Sequence, residues 1–232
     1  MGYNTSEYRI ASLSNLRAFF YKFVFILLLI HLINNAIIFF ALNTFIQNPS
    51  IPKYRLICSV SQIITLALFI VSIKPSAREL GLYWSDIKKS TRYLYLIGEL
   101  LVLLLVISSF FIMRDMRYFA LMTNIHFGIT TPILEELIFR GYSWNKFREQ
   151  GYSNLKTLVI TSLFFGLFHL GYYYQISYAT QFHPDAPSMV TILFTKIIFA
   201  TVLGLFMGLM RWKSKKVYGP IIVHSIINIL SR

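Results

Sequence analysis

Apolar positions in this sequence gather into long runs, and polar positions gather between them. The runs lie at Phe23 to Ile46 and at about Leu56 to Ile73, Tyr93 to Met113, Phe119 to Trp144, Leu155 to Tyr174, Met189 to Met210 and Val217 to Ser231. An α-helix rises ~1.5 Å per residue, so roughly 20 residues cross ~30 Å of hydrocarbon, and most of these runs reach that length. The pattern predicts an all-α fold, a polytopic transmembrane helical bundle of about seven spans. The last run is short and is expected to tilt or to insert only in part. The first is too long for a signal-peptide core and is followed by no small-residue cleavage site, so it is read as a helix of the mature protein. Between the second and third runs, Ala77 to Ser90 mixes Leu80, Leu82, Tyr83, Trp84 and Ile87 with charges, the signature of an amphipathic stretch at the inner membrane surface.

Composition supports the same solvent. Hydrophobic residues make up 56% of the 232 and charged residues only 13%, too few to clothe the core of a water-soluble domain. Mean hydropathy is +0.61. The lone cysteine, Cys58, excludes an internal disulfide and a thiolate zinc cage, and within an apolar run it reads as a small buried hydrophobe. A net charge of +13 raises the question of nucleic acid, but the basic residues flank apolar runs instead of forming a stripe, so no nucleic-acid partner is expected.

Their distribution reports orientation. Fifteen Lys and Arg fall on one side of the bundle: Arg9, Arg17 and Lys22, then Lys74 to Arg92, then Lys146, Arg148 and Lys156, and finally Arg211 to Lys216. Five fall on the other, at Lys53, Arg55, Arg114, Arg117 and Arg232, with none in the loop from Gln175 to Ser188. By the positive-inside rule the amino terminus is inside, and seven spans then leave the carboxyl terminus outside. No repeat or second domain is visible, so residues 1–232 are expected to form one integral membrane domain, with its motif-bearing core at about 80–228.

Against this apolar background a few ionisable groups stand out, each costing roughly 2.5 to 3.5 kcal/mol to insert and therefore requiring a partner or a purpose. The fourth run carries Glu135-Glu136-Leu137-Ile138-Phe139-Arg140, the fifth Phe165-Gly166-Leu167-Phe168-His169, and the seventh His224-Ser225-Ile226-Ile227-Asn228. Helical positions four apart share a face, which pairs Glu136 with Arg140, Phe165 with His169 and His224 with Asn228. Glu135 is turned ~100° from Glu136 and addresses something else. Peptide hydrolysis needs a base to activate water, donors for the oxyanion and an acid for the leaving amine. Glu135 with His169 fits the first and last of these, and His224 with Asn228 the second. Each motif alone has a plainer reading: a structural ion pair for Glu136 and Arg140, interhelical hydrogen bonding for His224 and Asn228. Their conjunction on three helices is what points to one hydrolytic site.

Glu-Glu-x-x-x-Arg, Phe-x-x-x-His and His-x-x-x-Asn, in this order and each on its own span, resemble the CPBP family, which includes type II CAAX prenyl endopeptidases and bacterial proteins of bacteriocin maturation or immunity. The similarity extends from roughly Leu80 to Asn228. It implies an intramembrane glutamate protease in a bacterial plasma membrane, with Glu135 and His169 activating water and His224 and Asn228 stabilising the oxyanion. Its substrate would be a membrane-associated peptide, CAAX-like or a bacteriocin or pheromone precursor. Some members carry a further terminal helix, which is not expected after Asn228 here.

Rival readings are a non-enzymatic immunity or scaffold protein and a small-molecule transporter, the latter weakened by the lack of inverted repeats. A zinc protease would have to draw its ligands from Glu135, Glu136, His169 and His224. The His-Glu-x-x-His signature is absent and Glu136 is committed to Arg140, so no cofactor is expected. Depth arithmetic strains the single site: Glu135 lies ~24 Å below the outer start of its span, whereas His169 comes out ~20 Å from Lys156, too far outward unless one of the two helices begins elsewhere. The remaining polar residues are assigned bland roles. His31, Asn34 and Asn35 make helix contacts, Glu99 is locally bonded, Lys196 snorkels, His126 faces half a turn away from Glu135, and His183 is solvated in a loop.

Overall fold

The computed structural model describes residues 13–45, 50–181 and 185–231; Arg9, His183 and Arg232, which figure in the sequence reading, lie outside them. All regular structure among the described residues is helical, as the apolar runs require in a medium that offers the backbone no hydrogen bonds. Helices α1 (Leu13–Phe45), α2 (Ile51–Ile73) and α3 (Lys89–Ile112) are followed by a rod of segments at residues 117–149, α4 (Arg117–Ile125), α5 (Thr131–Glu136) and α6 (Trp144–Glu149). Then come α7 (Asn154–Phe168), α8 (Tyr173–Thr180), α9 (Met189–Ser214) and α10 (Tyr218–Leu230). Among the described residues, five helices are long and apolar enough to cross a membrane: α1, α2, α3, the combined Asn154–Thr180 and α9. The rod and the short α10 supply the other two apolar runs.

Local chemistry sets the ends. Pro52 sits in the first turn of α2, where its missing N–H costs nothing. The side chains of Ser153 and Ser188 cap α7 and α9 by accepting from Lys156 N and Thr191 N, each at 3.3 Å. Both α2 and α9 end on a left-handed lysine, Lys74 and Lys215, which lays a cation against the negative end of the helix dipole.

Two stretches depart from the sequence reading. Helix continues past Gln175 to Thr180, where a loop was expected, because no proline or glycine interrupts residues 172–181. This puts His169 near the middle of a 27-residue rod and removes the depth conflict with Glu135. The segment after α2 is a series of turns, broken by Pro75 and by Gly81 at φ 71°, and part of its apolar side is covered by protein. Its Leu80 and Ile87 are buried in protein, and Gly141 presses against the backbone of Leu80 where a Cβ would come within 2.9 Å of the Leu80 carbonyl oxygen. Tyr218 Oη donates to Leu82 O (2.8 Å), Asn145 Nδ2 donates to Glu79 O, and Lys146 pairs with the Glu79 carboxylate at 2.7 Å. The Lys146 ammonium holds that carboxyl down at about 2. The segment thus closes one end of the bundle.

Helices α7 and α9 pack along their whole length on small residues. A Cβ at Gly166 would meet Thr201 Oγ1 at 2.1 Å and Ile197 O at 2.9 Å, and one at Gly208 would meet Leu158 at 2.3 Å. Close backbone approach of this kind replaces the hydrophobic driving force that lipid does not supply between helices.

Candidate active site

The rod at 117–149 is not a uniform α-helix. Two π segments, His126–Thr130 and Leu137–Ser143, flank α5, which carries both glutamates. Pro132 accounts for the first. With the chain widened to i+5 bonding, Thr131 N donates to His126 O, and the next carbonyl, Phe127 O, would have to be met by the N–H that Pro132 lacks. Asn228 Nδ2 on α10 supplies the missing donor at 2.9 Å. On the same turns the buried Gln62 of α2 accepts from Thr130 Oγ1 (2.7 Å) and donates to Thr131 Oγ1 (3.0 Å). The rod is therefore clamped from two sides just above the glutamates.

Glu136 and Arg140 are each 0% exposed and paired at 3.1 Å. A buried pair of this kind is costly unless further contacts support it, and several do here, although Arg140 Nε and Glu136 Oε2 have no hydrogen-bond partner in the protein. Arg140 Nη2 donates to Gly204 O on α9 (3.1 Å), its guanidinium carbon lies 4.2 Å from the centre of the Phe165 ring, and its own carbonyl accepts from Arg211 Nε at 2.6 Å. Glu136 Oε1 also accepts from His224 Nδ1 at 2.9 Å, a contact that the spacing of residues did not reveal. The second carboxylate of the pair thus anchors α10 as well as Arg140.

Glu135 faces the other way. Its Oε1 accepts from Tyr172 Oη at 2.7 Å, and its Oε2 lies 3.8 Å from His224 Nε2. His169 Nδ1 is 2.9 Å from Phe165 O; a carbonyl can only accept, so Nδ1 carries the proton and Nε2 is the acceptor of the neutral ring. The Phe165 ring is edge-on to both histidines, at 5.2 Å from His169 and 6.0 Å from His224. A cavity of about 510 Å³ is lined by Glu135, Phe165, His169, Tyr172, His224 and Asn228. Glu136 and Arg140 stand behind it.

All seven motif residues therefore meet around one cavity wall, four of them as its polar lining and Glu136, Arg140 and Phe165 as their support. Three bland assignments need correction. His126 lines the same cavity as Glu135, because the π segment between them spoils the count of 100° per residue. Lys196, expected to snorkel, also lines the cavity. Arg211, counted as a flanking charge, is buried against Arg140 O and Asn145 Oδ1. Asn228, expected to serve the oxyanion, has one amide hydrogen committed to Phe127 O. The helix contacts of the first span hold: Asn34 Oδ1 accepts from Ser61 Oγ (2.7 Å) and Asn35 Nδ2 donates to Gly171 O (3.0 Å). Tyr172 was missed, although its position three residues after His169 puts it on the same helix face. Gln62, a lone amide in the middle of an apolar run, was the other available signal. For zinc the donor set does not fit: Glu136 Oε1 is taken by Arg140 and His224, and no three His, Cys, Asp or Glu side chains among the described residues are grouped to hold a metal.

No curated protein and no solved structure matches the chain significantly. A family model does. Residues 117–230, from the start of the rod to the end of α10 and including all three motifs, match the type II CAAX prenyl endopeptidase Rce1-like domain. Just under half of the chain, residues 117–230, thus resembles an Rce1-like CAAX-type protease domain, in a chain with five helices among the described residues that are long and apolar enough to cross a membrane.

Proposed function

We propose that the protein hydrolyses a peptide bond in a membrane-associated peptide, with water activated by Glu135 and His169. Support comes from one observation above all: Glu135, His169, His224 and Asn228, drawn from three helical rods, line one cavity, while Glu136 and Arg140 are sealed behind it. Tyr172 holds Glu135 Oε1, which leaves Oε2 and His169 Nε2 to receive a water molecule. Glu135 takes the proton as the water oxygen attacks the carbonyl carbon. The oxyanion is met by an N–H of His224 and by the second amide hydrogen of Asn228. Collapse of the intermediate breaks the C–N bond, and Glu135 returns the proton to the leaving amine. The family match suggests CAAX-like tails as the substrate class; bacteriocin or pheromone precursors rest on the motif resemblance alone.

The deciding experiment is Glu135→Gln in the full chain, reconstituted in lipid nanodiscs and assayed against a library of membrane-associated peptides. The amide keeps an acceptor for Tyr172 but no base, so turnover is expected to fall roughly 10²- to 10⁴-fold with an unchanged melting temperature. Undiminished cleavage by Glu135→Gln would exclude the mechanism. Cleavage by neither protein, with both folded, favours the scaffold reading.

For topology we propose an inside amino terminus in the plasma membrane, on the bias of Lys and Arg. A cysteine introduced at Lys215 is then expected to resist an impermeant maleimide in intact cells, and one at Ser188 to react; the reverse pattern would invert the orientation.

A further inference from the structure

Between α7 and α8 the helix tightens. Residues His169–Tyr172 form a 3₁₀ turn, in which side chains three apart eclipse one another, whereas in an α-helix they stand ~60° apart. The tightening stacks Tyr172 over His169, ring centres 5.6 Å apart, so that Tyr172 reaches Glu135 while His169 faces the same cavity. Helix α1 grips this turn. Asn35 Nδ2 donates to Gly171 O at 3.0 Å, and the buried His31 ring centre lies 3.9 Å from that of Phe168 and 5.2 Å from that of Tyr172. A Cβ at Gly171 would fall onto the His31 ring. Beside Asn35, Asn34 Oδ1 accepts from Ser61 Oγ of α2 at 2.7 Å, and the next residue of α2, Gln62, donates to Thr131 on the rod at 117–149 at 3.0 Å. Thr131 and Glu135 are four apart on that rod, and Glu135 accepts from Tyr172 at 2.7 Å. The contacts thus close a ring that runs from the rod through α2 and α1 to the 3₁₀ turn and back.

We infer that His31 and Asn35 are positioning residues for the proposed hydrolysis, holding the 3₁₀ turn in the register that sets His169 and Tyr172 against Glu135. This role rests on the proposed activation of water by Glu135 and His169. Neither His31 nor Asn35 lines the cavity, so neither touches a substrate there. Both belong to α1, outside residues 117–230, so the part of the chain that matches a protease domain takes its alignment from a helix that does not. Apolarity gives α1 no preferred rotation in lipid; the polar cluster His31, Asn34 and Asn35 in its middle supplies one. Without the Asn35 donor the turn relaxes toward α-helical spacing, which swings Tyr172 ~60° away from Glu135. Chemistry tolerates little of this, since a misplacement of ~1 Å can cost ~10²-fold in rate.

The test uses the full chain in lipid nanodiscs and the library peptide that the unsubstituted protein cleaves fastest. Asn35→Leu removes the donor at similar volume, and kcat is expected to fall roughly 10- to 100-fold with KM held within about twofold, because the cavity lining is untouched. Asn43→Leu, at an exposed amide further along the same helix, should leave both constants unchanged. On the same samples, backbone hydrogen exchange at residues 169–172 should rise roughly fivefold in Asn35→Leu, as the loss of one hydrogen bond warrants. Gly171→Ala, whose methyl meets the His31 ring, should lower kcat as much, and adding His31→Ala should restore most of it by making room. A role in stability alone would lower the melting temperature without this split between kcat and KM and without rescue by the second substitution. Asn35→Leu with kcat near that of the unsubstituted protein, a loss carried by KM, unchanged exchange at the turn, or a double variant no more active than Gly171→Ala would overturn the inference. Absence of cleavage by the unsubstituted protein refutes the hydrolysis and with it the positioning role, while exchange, which needs no substrate, still tells whether α1 holds the turn.

Discussion

Helices α3 and α10 are both apolar, yet they live in different solvents. Along the 24 residues of α3 only Val102 and Val106 are buried, and Leu100, Leu101, Leu103 and Leu104 all face outward. The 13 residues of α10 bury Tyr218, Gly219, Pro220, Ile222, His224 and Ser225, and its polar groups reach the rod at Glu136 and Phe127. Lipid solvates a leucine as well as another helix does, so apolarity gives α3 no reason to pack tightly. What draws α10, α7, α9 and the rod together is polar satisfaction and close approach at glycine. Chemistry and cohesion therefore come from the same few residues, and the lipid-facing helices serve as a frame.

Three substitutions would sharpen or break that contrast. The largest loss is expected for Arg140→Ala, which leaves Glu136 charged and buried with His224 as its remaining partner; about 3 to 5 kcal/mol should be lost in denaturant titrations of the reconstituted protein. A loss below ~1 kcal/mol would mean that the pair is not a structural anchor. Next comes Gly166→Ala. Alanine is the better helix former by up to ~1 kcal/mol, but its methyl would collide with Thr201 Oγ1 and with the Ile197 carbonyl oxygen, which cannot turn aside. Overpacking of this kind costs about 1 to 3 kcal/mol, so a net loss near 1 kcal/mol is expected, with separation of α7 from α9 readable as faster proteolysis. The smallest effect is reserved for Leu104→Ala, 55% exposed on α3 in the unsubstituted protein: a change within about 0.5 kcal/mol. A destabilisation of α3 as large as that at Gly166 would show that this face is covered by protein.

Much of this was readable along the chain, and for definable reasons. An apolar run long enough to span hydrocarbon can satisfy its backbone only as a helix, so the all-α class and the order of spans follow from local sequence. Buried ionisable groups are expensive, so Glu135, Glu136, Arg140, His169 and His224 announced themselves by where they stood. Periodicity of four also gave the Glu136–Arg140 pair, because that contact lies within one helix.

Contacts that cross between helices were beyond it. That His224 binds Glu136, that Tyr172 holds Glu135, and that Asn228 answers the carbonyl orphaned by Pro132 depend on how rods are rotated against one another. The π segments made the rotation incalculable from a fixed angle per residue, which is why His126 was assigned to the wrong side. Sequence by itself determined which residues are too costly to bury idly; tertiary structure decided which of them meet, because in lipid the rotation of a helix is set by its polar and small-residue contacts with neighbours, not by its hydrophobicity.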